Sequence, residues 1–425
     1  MLNLDFATST VLQCILGALI AVYLVITGYV KLYHEFMSYQ PVFHTYDLHR
    51  WVMGDHVIDP LPPKKNKFYD PVRVTVRILG GMVDEDEIRR AVPVEDFSAL
   101  IRDHYMNHTT SAYGVDGAHL LSFLTGNKHQ ALVSWYREDV DVDVDGPIVG
   151  TMTTRPVFAT IRGTHHVIVY TDHLCIHADY RRRNIAAKLI QTTVYVKRHE
   201  IPHFQIAMFK REGARMVGVV PVLVYMSRMF RNRMRSADTG SMPGRERLYR
   251  IDVAKGGGGG HDTANRRAFH DMMDFVAAQK SRFDMFVIPY VDNLWAQIVG
   301  GVLIPFVVYD EAVIPPVVVA AYIYKNSAVT HMVDGENVAC VELIASVAKS
   351  RGTNHRIYFT HTLAALSPDF GCIVMEEVSD TATGLAGFAR SISELTELYA
   401  QSSEYIMFNY AAHPVRPDKA LLIGI

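Results

Sequence analysis

The chain has 425 residues, 49% of them apolar, so it can bury one large core or two moderate ones and is not a disordered polymer. Its 42 basic and 44 acidic side chains leave a formal charge of −2. No overall field favours nucleic acid, and any anion site has to be built locally.

In chain order, the first feature runs from Val11 to Val30, "VLQCILGALIAVYLVITGYV", without a charged residue. As a helix it would extend roughly 30 Å, the thickness of a bilayer core. It reads as a transmembrane anchor rather than a cleaved signal, because "MLNLDFATST" before it carries an acid and no base. Lys31, Lys64, Lys65 and Lys67 follow it, so the positive-inside bias places the remainder in the cytoplasm as a single-pass integral membrane protein. A buried core helix is the alternative. The segment after it, rich in His, Pro and Lys ("DPLPPKKNK"), reads as a tether.

From about Val72 the pattern is globular, with helical periodicity over 94–106 and 184–197 and strand-like runs at 131–135, 150–161 and 166–170. The acidic alternation "REDVDVDVDG", 137–146, lacks the glycine placement of a calcium loop and reads as a solvated turn. Residues 236–260, ending in "GGGGG", mark a linker. Beyond it the spacing predicts helices over 263–280 and 337–349, and strands at 303–309, 317–324, 355–360 and 371–375. The recurrence points to two related α/β halves. The expected division is 1–38 anchor, 39–70 tether, 71–250 first half, 251–265 linker and 266–425 second half. The four cysteines, Cys14, Cys175, Cys340 and Cys372, share no metal-ligand spacing and no dense disulfide framework, so reduced thiols and no metal are expected.

The stretch "TDHLCIHADYRRRNIAAKLI", 171–190, carries the most chemistry. A strand ending near Ile176 and a short turn lead into a helix expected to start around Arg182 or Arg183. Such a start presents unpaired N–H groups and partial positive charge, and Arg181, Arg182 and Arg183 oppose that dipole unless they are solvated or hold an anion. Residue types alone leave those two readings even. The order strand, basic turn, small residues Ala186 and Ala187, then helix is how acyl-CoA transferases of the GNAT type hold the CoA pyrophosphate, which favours the ligand. The other basic run, "RMFRNRMR" at 228–235, lacks a nucleic-acid-binding fold around it, so no nucleic-acid partner is expected.

The stretch resembles N-myristoyltransferase, the cytosolic acyltransferase that moves myristate from myristoyl-CoA to an N-terminal glycine. The family's "FLCVHKKLRSKRVAPVLI" is matched by His173-Leu174-Cys175-Ile176-His177 and by residues 181–190. In order along the chain, "NKFYDPV" resembles the family's "YKFWDTQPV", "ERLYR" its "MKLYR", "EYIMFNY" its "QYYLYNW" and the ending "KALLIGI" its "KVGLVLQ". The resemblance spans roughly residue 64 to the last, and the order of the blocks is more specific than any one of them.

The resemblance implies a fold of two tandem GNAT-like α/β halves with mixed sheets, here preceded by the apolar helix. It implies myristoyl-CoA as acyl donor, N-terminal Gly peptides or proteins as partners, and gives no sign of an oligomer. The thioester oxygen would be held by the backbone amides of His173 and Leu174, unpaired at a strand bulge and aimed at a developing oxyanion. Cys175, Ile176, Arg181, Arg182, Arg183, Asn184, Ile185, Ala186 and Ala187 would hold CoA, flanked by Lys67, Phe68 and Tyr69. Tyr105, Met208, Phe209 and Asn409 would meet the peptide.

The base would be the carboxylate of Ile425. Its ordinary pKa of about 3.5, against about 8 for an α-amine, makes proton transfer roughly 6 kcal/mol uphill unless burial narrows the gap. The His173 ring is a second candidate base, although a strand-end histidine is commonly structural. Several positions depart from the family: Asn107, His108, Thr109 and Thr110 stand where it has acids, Met208 and Phe209 where it has Tyr and Thr, and its "GDG" loop has no counterpart. Two other readings follow, a GNAT-type N-acyltransferase using another acyl-CoA and a non-catalytic binder of acyl-CoA or lipidated peptides.

Overall fold

The computed structural model describes residues 2–106, 110–138, 140–141, 144–252 and 260–425. Three of the four residues that replace the family's acids, the middle of the acidic alternation and most of the glycine-rich run lie outside them.

Helix α1, Leu2–Tyr33, is long and apolar enough from Thr10 to Tyr33 to cross a membrane, and its most apolar 18-residue window, with a mean hydropathy of 2.3, has no buried residue. Leu12 and Leu19 are 68% and 62% exposed, so this is not a core helix. Its C-terminal end meets the body, where Val30 packs so closely on Gly218 that a Cβ there would lie 2.7 Å from it. The following segment is docked rather than free: Val42 and Phe43 are buried, and Val42 bridges to Phe408.

The body is built on one mixed sheet whose strands alternate with a few helices. In chain order these are β1 Val74–Leu79, α2 Val94–His104, α3 Gly117–Leu124, β2 Ala131–Arg137, β3 Ile148–Ile161, β4 Thr164–Ile176, α4 Ile185–Glu200, β5 Ala207–Glu212 and β6 Leu223–Asn232. They continue with β7 Glu246–Arg250, α5 Gly260–Ala278, β8 Met285–Ile288, α6 Val291–Val299, β9 Leu303–Asp310, β10 Val317–Val333 and β11 Glu336–Ala348. The last are α7 Thr353–Leu366, β12 Cys372–Glu376, β13 Leu395–Phe408 and β14 Ala420–Leu422. The sheet order is β7-β9-β10-β11-β12-β6-β13-β5-β4-β3-β8-β14, with β2 on β3 and β1 on β2.

The same unit occurs twice. An antiparallel hairpin (β3-β4, β10-β11) leads through a helix (α4, α7) to a strand parallel to the hairpin's second member (β5, β12). Parallel neighbours need such a crossover. That requirement corrects two expectations, since 337–349 is a strand and 355–360 lies in a helix. "ENVACVELIASVA" is β-branched and buried between β10 and β12, whereas "TNHRIYFTHTLAAL" must cross over the sheet. The strand after each unit is exchanged: β6 pairs with β12 of the second unit, and β13 pairs with β5 of the first. The two then pair with each other at the centre.

A polar clamp joins the halves at α3 and α6. Fully buried Asn293 donates from Nδ2 to Thr125 O at 2.6 Å and Phe123 O at 3.0 Å, and its Oδ1 accepts from Arg155 Nη1 at 3.1 Å. Beside it Gly126 has φ +73, and a Cβ there would lie 2.8 Å from the Asp292 backbone. Gly126→Ala therefore combines backbone strain with a backbone clash and is expected to lower stability by about 2–3 kcal/mol, read as a lower urea midpoint at unchanged slope. Gly163→Ala, at φ +83 with no neighbour within 4 Å, bears only the strain of about 1 kcal/mol.

Candidate functional site

The site forms where β4 is interrupted. The β3–β4 register passes from Thr151 opposite Cys175 to Thr153 opposite Asp172, so His173 and Leu174 together face Met152. This is a β-bulge, and His173 takes φ +52 within it. The His173 N–H donates to Asp172 Oδ1 at 2.8 Å. Thr151 Oγ1 donates to His173 O at 3.2 Å, and Thr153 Oγ1 donates to Asp172 O at 3.2 Å while lying 2.9 Å from His173 Nδ1. An arrangement in which Nδ1–H donates to Thr153 Oγ1 and Thr153 Oγ1–H donates to Asp172 O satisfies both contacts, and in that tautomer Nε2 is an acceptor.

Three cavities meet at this bulge and share Tyr105, which ends α2. A basic cavity, over the turn between β4 and α4, is lined by Leu174, Cys175, Ile176, Arg181, Arg182, Asn184, Ile185, Ala186 and Ala187. An apolar groove between β4, β5 and α4 is lined by Leu174, Val169, Val194, Ala207, Phe209 and Phe408, among others. A polar cavity that shares Asp172, His173 and Lys210 with the groove is lined further by Glu212, Lys325 and Glu342. His173 and Asp172 border the groove as well, and Leu174 belongs to both the groove and the basic cavity.

The basic turn is arranged differently from its sequence expectation. Helix α4 starts at Ile185, two to three residues later than expected, because Arg182 and Asn184 take positive φ of 65 and 60 and break the helical run. Arg181 is turned inward, with Nε donating to Ile176 O at 3.2 Å and Nη2 donating to His104 O, so it braces the cavity wall. Arg183 lies over the Tyr180 ring and 3.5 Å from Glu138. Arg182 is exposed at the cavity mouth. Cys175 is buried, and burial, against a smaller pull from Arg181, pushes its thiol up to about 12, which leaves it inert.

Of the remaining expected residues, Lys67 pairs with Glu35 and Tyr69 packs on Tyr195 at 4.4 Å between ring centroids. Phe68 is buried edge-on against Phe36, whose ring lines both the basic cavity and the groove. Strand alternation separates Met208 from Phe209: Phe209 faces the groove, while Met208 is fully buried in the core with Val157, Tyr170 and Ile206. Asn409 also sits away from the cavities, holding the docked segment through Asp59 N at 2.8 Å and Asp59 O at 2.9 Å. Ile425 is 4% exposed in the same core as Met208. The carbonyl before it, Gly424 O, accepts from Arg155 Nη2 at 2.5 Å.

The polar cavity holds the groups that sequence patterning missed. Burial opposes the charged form of Asp172, yet the His173 ring, in the protonated form it takes at low pH, together with Lys325, the His173 amide and Arg155 outweighs it and holds the carboxyl down to about 2. Burial lowers the His173 pKa despite Asp172, so the ring is neutral at neutral pH. Burial also opposes the Lys210 ammonium, but Glu212 at 2.6 Å and Glu376 at 2.7 Å push its pKa up. Glu342 is raised by burial against the pull of Lys210 and Lys325. Lys210 and Glu342 were hidden because each interrupts a strand run, in "AMFKRE" and "VELIA", where a lone charge looks like a solvent-facing position.

No family model matches the chain, and no curated protein matches it in sequence. Among solved structures it is similar to Saccharomyces cerevisiae N-myristoyltransferase with bound myristoyl-CoA. The TM-score is 0.63 at 13% identity, over 94% of this chain and 96% of that one. A second structure of that enzyme with myristoyl-CoA gives 0.63 at 13% identity, over 91% of this chain and 96% of that one. One with myristoyl-CoA and inhibitors gives 0.62 at 14% identity, over 94% and 96%. The fold is therefore that of N-myristoyltransferase, two GNAT-like halves on one sheet, as the sequence motifs imply.

Proposed function

We propose that this chain, which folds as N-myristoyltransferase does, is an N-acyltransferase that moves a long acyl chain from acyl-CoA to the amine of an N-terminal glycine. The observation that carries the reading is the meeting of three chemically different cavities at one bulge. The basic cavity suits the CoA phosphates, the groove a fatty chain, and the polar cavity an incoming amine, whose ammonium form Glu342 and Glu212 can attract.

In this reading the thioester lies across the bulge at Leu174. The His173 amide is already used by Asp172, so the Leu174 amide is the oxyanion donor that the proposal keeps. The His173 imidazole, neutral and fixed through Nδ1, accepts the amine's proton at Nε2 as the amine attacks the thioester carbon. The ammonium gives up one proton to solvent on entering and the second to Nε2, the C–N bond forms as the C–S bond breaks, and CoA leaves as its thiolate. Proton transfer by a positioned base contributes typically 10²–10⁴ in rate, and the rest comes from orientation. The Ile425 carboxylate is the rival base, supported by its burial.

The test incubates the purified full chain with tetradecanoyl-CoA and a peptide starting Gly-Asn-Ala. Transfer to that peptide, and none to its N-acetylated form, is expected. Donor binding without transfer to any Gly peptide would make the chain a binder, and absence of donor binding rejects the reading altogether. Arg182→Asn keeps a residue that tolerates positive φ and removes one charge at the cavity mouth. It is expected to weaken acyl-CoA binding about 3- to 10-fold at low salt, with the difference shrinking as salt rises. Helix α1 serves as a single-pass anchor in the same proposal, with the body on the cytoplasmic side. Its removal is expected to release the chain from the membrane fraction into the alkaline-carbonate supernatant.

A further inference from the structure

Helix α4 turns Ile190, Thr193, Val194 and Lys197 to the apolar groove, one face at i, i+3, i+4 and i+7 spacing. Lys197 is the last of them, about 10 Å along the helix axis beyond Ile190 and away from the basic turn. It is 1% exposed, and the same groove is walled by Val169, Ala207 and Phe408, all buried. Among the described residues its Nζ has neither a carboxylate nor a hydrogen-bond partner. Two other polar side chains of the groove are tied to neighbours rather than to this lysine: Thr193 Oγ1 donates to Ser134 Oγ at 2.7 Å, and Gln40 Nε2 donates to Gln191 Oε1 at 3.2 Å.

An unpaired amine in an apolar wall is costly to bury, and a plain hydrocarbon would leave it unpaired when the groove is filled. Met or Leu would serve such a chain better. Burial, with a smaller push from Arg198, brings the lysine down to about 7, so both its ammonium and its neutral form can donate a hydrogen bond near neutral pH.

We infer that Lys197 forms a second polar subsite at the far end of the groove, and that the acyl donor carries an oxygen acceptor, carboxylate or hydroxyl, at its ω end. This rests on the acyl-CoA reading above. Because the bulge sets His173 and Leu174 against Met152 while Val169 faces Pro156, β4 covers about 13 Å between Leu174 and Val169, the reach of an extended chain of about ten carbons, so the ω end of a longer donor would come to the level of Lys197.

The experiment titrates the full chain in maltoside detergent with tetradecanoyl-CoA and with its ω-carboxy and ω-hydroxy analogues, following heat. Wild type is expected to bind one of the two oxygenated analogues at least 10-fold more tightly than the plain donor, and which one identifies the terminal group. Lys197→Met is expected to reverse the preference in favour of the plain chain, while Lys197→Arg keeps a preference for the oxygenated one. The near-UV circular dichroism of both variants reports whether the fold is retained, and the wild-type ranking stands without them. Wild type preferring the plain chain overturns the inference, as does an oxygenated-chain preference that persists in folded Lys197→Met. Wild type binding none of the three donors rejects the acyl-CoA reading itself, and the inference falls with it.

Discussion

Replacing His173 by asparagine is expected to lower acyl transfer by roughly 10²–10⁴ while donor affinity stays within a factor of two. Position 173 sits at φ +52, a region asparagine tolerates, so the bulge survives and the amide still donates to Asp172 Oδ1. What disappears is the imidazole that Thr153 orients and that lines both the groove and the polar cavity. Single-turnover rates at saturating donor isolate this step from binding. The wild-type profile should fall on the acid side below the ordinary histidine range, since burial lowers the ring's pKa and only its neutral form accepts a proton. That limb should be missing in the variant. A His173→Asn rate within threefold of wild type would transfer the role to Ile425. In that case one residue appended after Ile425, which moves the carboxylate and leaves the side chain in place, should give the large loss instead.

Asp172→Asn is the second large effect, and it acts on stability. The carboxylate is enclosed beside Arg155, which is 2% exposed, and Lys325. Removing its charge leaves the buried Arg155 without a carboxylate beside it, while Lys325 keeps Glu342 and Glu212, at an expected loss of about 2–4 kcal/mol at pH 7. The pH dependence has a definite sign. The folded pKa of about 2 lies below the ordinary 3.8, so the stabilisation is complete above pH 3.8 and is lost as pH falls through 2. It amounts to roughly 2 kcal/mol. Urea midpoints of wild type and variant should therefore lie well apart at pH 7 and draw together towards pH 2. Equal midpoints at pH 7 would show that the cations are satisfied by other groups.

The basic turn and the repeated unit were legible because each leaves a local mark, consecutive arginines and a recurring order of apolar runs, whereas the bulge was expected only through the family resemblance, since "TDHLCI" reads as continuous strand. Registers and long-range partners leave none. "ENVACVELIASVA" has enough spaced apolar residues to mimic a helix, and only its place between two strands decides otherwise. Met208 and Phe209 are adjacent in sequence yet on opposite faces of β5, so one position of register separates a core residue from a groove residue. Arg181 looked like a phosphate ligand because residue type does not say where a guanidinium points, and here it points to the carbonyls of Ile176 and His104. Lys197 was concealed by the same logic, since a lysine near the end of an amphipathic helix ordinarily faces water.

The exchange of β6 and β13 across the centre of the sheet has a consequence for inheritance as well as for folding. A gene fragment encoding either half alone would yield a polypeptide missing an inner strand and exposing the strand edges that should receive it. The two copies can therefore no longer be separated by a simple break after Asp252. Each piece is an obligate chaperone for the other, and co-expression should restore what neither produces alone.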